Sequence, residues 1–368
     1  MTALSPLKIG QHLAQYPIIQ GGMGIRISGA NLAAAVANSG GIGTISAVGL
    51  GMNSPYFDPT ATNPKQRQIQ FAEANRLALI DELNKARFFS PDGILAVNIM
   101  VAARDYETLV QTAAHHGANL IISGAGLPLN LPQLTQATPD VALVPIVSSS
   151  RAAQLICRKW QKSYGRLPDA FIVEDPHFAG GHLGAKVETL GQPEVAIASV
   201  IPALLAYLHD DLEADIPVIA AGGIWDRSDI ERALALGASG VQIGTRFITT
   251  DECDADIRYK EFHLQAEPED VVLVPSPVGL PGRALRNAFA DTVLSTGTPN
   301  PKGLCLANCL QVCKFRDRRE TYCILKALDR AARGEVETGL VFAGSNAGRA
   351  EKIVSVAELM AELTADAM

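Results

Sequence analysis

The stretch PVIAAGGIWDRSDIERALALGASGVQIGTRF (217–247) holds a complete βαβ unit. PVIAA (217–221) is a short, uninterrupted apolar run that stops at a Gly-Gly pair, as a strand buried on both faces does. DRSDIERALALG (226–237) follows with helical spacing and a closing glycine, and GVQIG (240–244) is a second apolar run. Working outward, similar runs recur as PIIQG (17–21), IGTIS (42–46), ILAVN (94–98), NLIIS (119–123), ALVPIV (142–147) and AFIVE (170–174). Stretches with helical spacing lie between them, such as RDYETLVQTAAHHG (104–117). Eight apolar runs of this kind predict an α/β fold of the (β/α)8 TIM-barrel type, with a doubly wound open sheet as the alternative.

A barrel takes about 250 residues. The 368-residue chain is therefore expected to divide into a barrel over 1–250 and a smaller segment over 251–368 that caps the barrel mouth and ends in a helical tail. In that segment, 255–266 has helical character and SPVGLPGR (276–283) reads as loop. GLGMNSPYFDPTATNPK (49–65), rich in Pro, Asn and Gly, predicts a long loop at the functional end. The opening MTALSPLKIGQHL (1–13) is mixed in character and lacks the basic-then-apolar order of a secretory leader.

Charge and cysteine content exclude several classes of partner. A net charge of −7 without Lys/Arg clusters argues against nucleic acid, since neutralising phosphates needs local positive charge. Ile27 to Phe57 carries no charge, but Gly, Ser and Asn interrupt it too often for a membrane span. Cys157 and Cys253 stand alone, which fits a reducing cytoplasm rather than a disulfide scaffold. A small-molecule substrate is the expected partner.

The chemistry-bearing residues fall at the carboxyl ends of the runs, where barrel enzymes place their sites. Gly222, Gly223 and Gly244 let a phosphate approach the backbone after strands seven and eight, and Thr245 adds a hydroxyl. In VEDPHFAGGHLG (173–184), Gly180 and Gly181 precede His182, whose imidazole suits proton removal from a carbon acid; the alternative is a hydrogen-bonded structural histidine. Glu174 has no partner set for a metal and serves better as an acceptor for hydroxyl groups. In PIIQGGMGIRIS (17–28) a backbone amide near Met23 can reach a ring edge, and Asn98 offers an amide to a heterocycle; a tight turn and a strand-end cap are the plainer readings. Cys305, Cys309, Cys313 and Cys323 follow steps of four, four and ten, which puts the first three on one helical face. Without C-x-x-C pairs they read as buried apolar residues, so no metal is expected.

PIIQGGMG, AVNIM, the AGGHLG loop, AAGGI and QIGTRF, in this order, resemble the nitronate monooxygenase (2-nitropropane dioxygenase) family, which also contains FMN-dependent enoyl-ACP reductases. The resemblance spans 17 to about 250. It implies FMN across the barrel mouth, His182 as catalytic base, and cofactor contacts at Gly22, Met23, Asn98, Glu174, Gly180, Gly181, Gly222, Gly223, Gln242, Gly244 and Thr245. The implied reaction oxidises nitronates or nitroalkanes with dioxygen to carbonyl compounds and nitrite. NAD(P)H-dependent reduction of an enoyl thioester and a non-catalytic flavin-binding role are the rivals, and a homodimer is left open. GLVFAGSNAGR (339–349) receives no role.

Overall fold

The computed structural model describes residues 4–60, 63–297 and 304–365. Its centre is a ring of parallel strands: β1 (Ile18–Gln20), β2 (Gly43–Ser46), β3 (Leu95–Met100), β4 (Leu120–Gly124), β5 (Ala142–Val147), β6 (Phe171–Glu174), β7 (Val218–Ala221) and β8 (Gly240–Ile243). Hydrogen-bonded neighbours follow chain order from β2 to β8, and β8 pairs with β1. A parallel bridge between Ile19 and Ile42 closes the ring, with the Gln20 N–H donating to Ile42 O and the Ile42 N–H to Ile18 O, both at 2.9 Å. The expected TIM barrel is thus present, and the open-sheet alternative is excluded.

The apolar runs are continuous because alternate residues fill two cores. Ile19, Ala96, Leu120, Ile122, Val144, Ile172 and Ile219 point into the barrel. Ile18, Ile45, Val97, Ile121, Leu143, Phe171 and Val241 point out against the helices. Neither set meets water, so the polar-apolar alternation of a one-sided sheet is missing. The helix Arg227–Ala235 starts where the sequence placed it, because Asp226 and Asp229 form a reciprocal capping box.

Two features were not legible in advance. The mixed N-terminal stretch forms a hairpin, Leu7–Ile9 against His12–Ala14, turned at Gly10. Leu7, Ile9 and Ala14 join the interior core and close the amino end of the barrel. The final helix Val356–Thr364, expected in the cap segment, packs Val356, Leu359, Met360 and Leu363 into the barrel's outer core. It stands beside the helices Ala30–Asn38 and Arg227–Ala235, in the place of an eighth barrel helix. The chain re-enters through a parallel bridge between Thr250 and Val354, so 251–350 is an insertion within the eighth βα unit.

The insertion packs on the carboxyl end of the barrel. Its strands Val271–Val274 and Gly282–Leu285 form a small antiparallel sheet that takes in Gly181–His182 from the loop after β6. The cysteine segment departs from expectation: Leu304–Cys313 is irregular, and helix begins only at Lys314. Arg316 donates to Leu310 O at 2.6 Å and Gln311 O at 3.0 Å, while Gln311 N–H bonds Ala102 O at 2.9 Å. Tertiary partners thereby take the backbone groups a helix would use. Among the described residues, no helix is long and apolar enough to cross a membrane.

Leu359 is fully buried between the final helix and the barrel. Leu359→Ala is expected to destabilise the whole barrel by about 2–5 kcal/mol, read as a lower urea midpoint by far-UV circular dichroism. A loss confined to local fraying would remove the helix from the barrel's cooperative unit.

Candidate active site

One cavity of about 640 Å³ opens at the carboxyl ends of the strands, under the insertion. Gly22, Met23, Asn98, Glu174, Gly180, Gly181, His182, Gly222, Gly223, Gln242, Gly244 and Thr245 all line it. Its size lies within the roughly 300–1,000 Å³ usual for cofactor and ligand sites.

The rim is set by side chains just below it. Gln20, buried at the end of β1, donates to Ser28 Oγ at 2.8 Å and accepts the Thr44 N–H at 2.8 Å, tying β1 to β2. Gly22 then passes so close to β3 that a Cβ there would lie 2.3 Å from Asn98 Cβ, which no side chain tolerates. The Met23 amide does not face the cavity as a free donor, because it bonds Ser28 Oγ at 3.0 Å. Met23 itself lines the cavity beside Gly244.

After β6, Asp175 organises the loop by accepting from the His177 N–H at 2.9 Å, the His177 ring at 2.7 Å and the Ile197 N–H at 3.1 Å. His177 is half-buried by this pairing. Arg283, buried in the inserted sheet, donates to Ala179 O and, at 3.1 Å, to Pro176 O. Its guanidinium also faces Glu174 and Asp175. Burial pushes the Glu174 carboxyl up to about 7, with Asp175 adding to the rise and Arg283 opposing it.

His182 is fixed by the insertion. Its Nε2 lies 2.7 Å from Ser276 Oγ, and its ring stands edge-on to Phe342 at 5.1 Å between centroids. Burial pulls the imidazole down to about 4, so the ring is neutral at physiological pH. It can take a proton, or hold one between itself and Ser276.

Across the mouth, Gly222 and Gly223 have φ of +91° and +78°, conformations that suit glycine alone. A Cβ on Gly222 would meet Asp175 O at 2.8 Å. The 342–346 segment closes over these loops: Gly344 N–H donates to Thr245 Oγ1 at 2.8 Å, and Asn346 Nδ2 to Gly223 O at 2.8 Å. Thr245 accepts there and keeps its own hydroxyl proton for another partner. Gln242 Oε1 is buried without a hydrogen-bond partner, an acceptor awaiting a donor.

Ser276, Arg283, Phe342 and Asn346 are site residues that the sequence did not single out. SPVGLPGR was read as loop and GLVFAGSNAGR received no role, and nothing in either names the distant strands they meet. Over β2 to β4 the cavity wall mixes apolar side chains such as Val48, Met100, Leu310, Ile324 and Leu328 with the polar Ser46, Asn75, Asn98 and Asp105.

A barrel whose carboxyl-end cavity combines Gly-rich loops after β7 and β8, an orphaned carboxamide and a neutral histidine belongs to the class of barrel enzymes that hold a small-molecule cofactor at the mouth. The chain belongs to the nitronate monooxygenase family, whose model matches residues 5–366. It is 28% identical over 288 residues to a probable nitronate monooxygenase of Staphylococcus saprophyticus, covering 75% of this chain and 77% of the relative. It is also 28% identical over 293 residues to an octahydroindene-carboxyl-CoA dehydrogenase of Rhodococcus jostii, covering 80% of this chain and 68% of that one. Among solved structures it is similar to FabK from Thermotoga maritima, with TM-score 0.69 and 26% identity, covering 95% of this chain and 92% of that one.

Glu174 gives the site a testable pH dependence. Its folded carboxyl titrates at about 7 against an ordinary 4.5, so its stabilising contribution is complete below 4.5 and lost as pH rises through 7. His182 and His263, both held down at about 4, act oppositely: they lose stability as pH falls from 6.5 towards 4. Comparing Glu174→Gln with the unaltered protein cancels the histidines. The ligand-free variant is expected to be more stable at pH 8, by about 1–3 kcal/mol, and equal at pH 4.5, by thermal melting. Lower stability at pH 8 would mean that Arg283 needs the carboxylate.

Proposed function

We propose that this protein is an FMN-dependent nitronate monooxygenase of the reducing cytoplasm, oxidising alkyl nitronates and nitroalkanes with dioxygen to carbonyl compounds and nitrite. The observation that carries the reading is His182: a neutral imidazole in the cavity of a chain that belongs to this family along nearly its whole length.

The residues present fit the cofactor. Gln242 Oε1 offers a buried acceptor to a ring N–H, Asn98 an amide, and Glu174 a carboxyl that can donate or accept toward hydroxyl groups. Backbone at Gly222, Gly223 and Gly244, with the Thr245 hydroxyl, would take the phosphate through dipoles rather than a cation. When bound, FMN supplies the electron acceptor and the route to dioxygen.

His182 has the chain's own chemical task. Held through Nε2 by Ser276, it removes a proton from the carbon bearing the nitro group. A lone imidazolium would be costly in this buried place, but the nitronate formed in the same step is its counter-ion. Phe342 against the ring and Arg283 behind the 176–179 loop keep the imidazole in position.

The CoA thioester named in the Rhodococcus relative supports a second reading, reduction of an enoyl thioester with NAD(P)H. Stopped-flow mixing of flavin-loaded protein with a nitronate, with NADPH and with a crotonyl thioester separates the two, since the compound that rapidly bleaches the flavin names the reaction.

Purified protein is expected to be yellow and to release FMN, not FAD, and Gly222→Val to come out flavin-free with its far-UV spectrum intact. Normal flavin content in that variant would move the phosphate elsewhere. His182→Asn is expected to lose about 10²–10⁴-fold on nitroalkanes while retaining flavin and most activity on preformed nitronates, which need no proton removed. Equal losses on both substrates would make His182 a binding residue.

A further inference from the structure

The four cysteines of the insertion come together in space. Cys305, Cys309 and Cys313 lie on the irregular stretch 304–313, and Cys323 opens the helix Ile324–Ala332. The Cys309 thiol faces the other three, and Cys323 faces Cys305 as well. Cys309 and Cys323 also share both apolar clusters of this region, one built around Leu310 and Phe315, the other around Phe71 and Leu325. All four are free thiols.

Packing alone does not account for the gathering. Where cysteine serves this fold as a small apolar residue, at Cys157 and Cys253, it is buried and no other thiol faces it. Cys305, Cys309 and Cys323 are only half-buried, and groups that favour thiolates surround them. Arg316 faces Cys305 and Cys313, and Lys326 faces Cys323. The Asn308 N–H donates to Cys305 Sγ at 3.3 Å, and the amides of Leu306 and Lys326 turn to Cys323. Amides and cations of this kind commonly surround thiolates that bind metal.

The backbone bends to bring these groups in. Asn308, Arg319 and Thr321 have φ of +51°, +59° and +65°, a conformation that is costly above all for the β-branched Thr321. Asn308 is locked there, since its Oδ1 accepts from Arg316 and its Nδ2 donates to Gln68 Oε1 at 2.6 Å. Thr321, two residues before Cys323, keeps a buried hydroxyl that has no hydrogen-bond partner.

A single ion does not fit the arrangement. Among the described residues no three Cys, His, Asp or Glu side chains are placed to hold one metal ion, whereas zinc needs its sulfurs about 2.3 Å from one point. In a [4Fe–4S] cluster each cysteine ligates a different iron and inorganic sulfide fills the space between, so the thiolates stand further apart. The missing C-x-x-C pairs argue against zinc rather than against a cluster, whose cysteine spacings vary.

We propose that Cys305, Cys309, Cys313 and Cys323 are the ligands of a [4Fe–4S] cluster. The proposal replaces the expectation, drawn from sequence, that this segment is free of metal. Cys309 lines the barrel-mouth cavity, which sets the cluster beside the place of the proposed flavin.

Anaerobic reconstitution of the whole protein with ferrous iron, sulfide and dithiothreitol tests the site. The protein is expected to take up about four iron atoms and four acid-labile sulfides per chain, and iron-57 to give the Mössbauer doublet of a [4Fe–4S] cluster. Cys309→Ala and Cys323→Ala should each retain at least about tenfold less iron, while Cys157→Ala keeps it. A second readout needs no substitution and so is blind to misfolding: iodoacetamide should label Cys305 and Cys323 after chelation and spare both after reconstitution, as read by peptide mass spectrometry. Stoichiometric zinc without sulfide, full iron in both variants, or equal labelling before and after reconstitution would overturn the proposal. Neither flavin nor turnover enters these measurements, so the cluster and the nitronate reading stand or fall separately.

Discussion

Two backbone hydrogen bonds between β1 and β2 turn a sheet into a ring, and everything functional depends on that closure. Closure leaves no strand edge and forces each residue to face either the barrel interior or the helices, which is why both cores are filled with aliphatic side chains. It also gathers the carboxyl ends of all the strands around one mouth. Gln20, which ties β1 to β2 just below the rim, shows how closely the joint lies to the chemistry: the next residues are Gly21, Gly22 and Met23 of the cavity.

Within the mouth, polarity is supplied almost entirely by neutral groups. The histidine is uncharged, Glu174 is drawn towards protonation, and the loops after β7 and β8 present backbone and hydroxyl groups. Guanidinium groups stand behind the lining, not in it. Arg283 braces the loop that carries Gly180 and His182, while Arg246 and Arg349 lie over the Trp225 ring, 4.9 and 5.6 Å from its centroid. Such a site can stabilise a charge that forms during reaction through groups that carry none themselves.

The barrel was legible because each strand must satisfy two apolar faces, which writes an unbroken run into PVIAA, NLIIS and AFIVE. The helix Arg227–Ala235 was equally legible, and its start is set locally by the pairing of Asp226 with Asp229. The glycines and His182 that line the cavity were legible by their place after strands. What escaped was set by distance in sequence. The Ser276 hydroxyl meets His182 across the inserted sheet, Asn346 reaches back to Gly223, and the cysteine segment gives up helical spacing to bond the loop after β3. The N-terminal hairpin was missed because only three of its side chains, Leu7, Ile9 and Ala14, are committed to the interior core, too few to mark a pattern.

The insertion of 251–350 between β8 and the helix Val356–Thr364 also orders events during synthesis. Chains emerge from the ribosome N-terminal part first. The ring of strands is therefore complete in sequence while its outer layer still lacks a helix, and the whole insertion must be made before Val356, Leu359 and Met360 can fill that gap. Until then the flanks of Ala30–Asn38 and Arg227–Ala235 that receive the final helix stand uncovered. The lid over the cavity thus becomes available to fold before the barrel beneath it can be sealed, which makes the nascent barrel's open flank the surface a chaperone would meet.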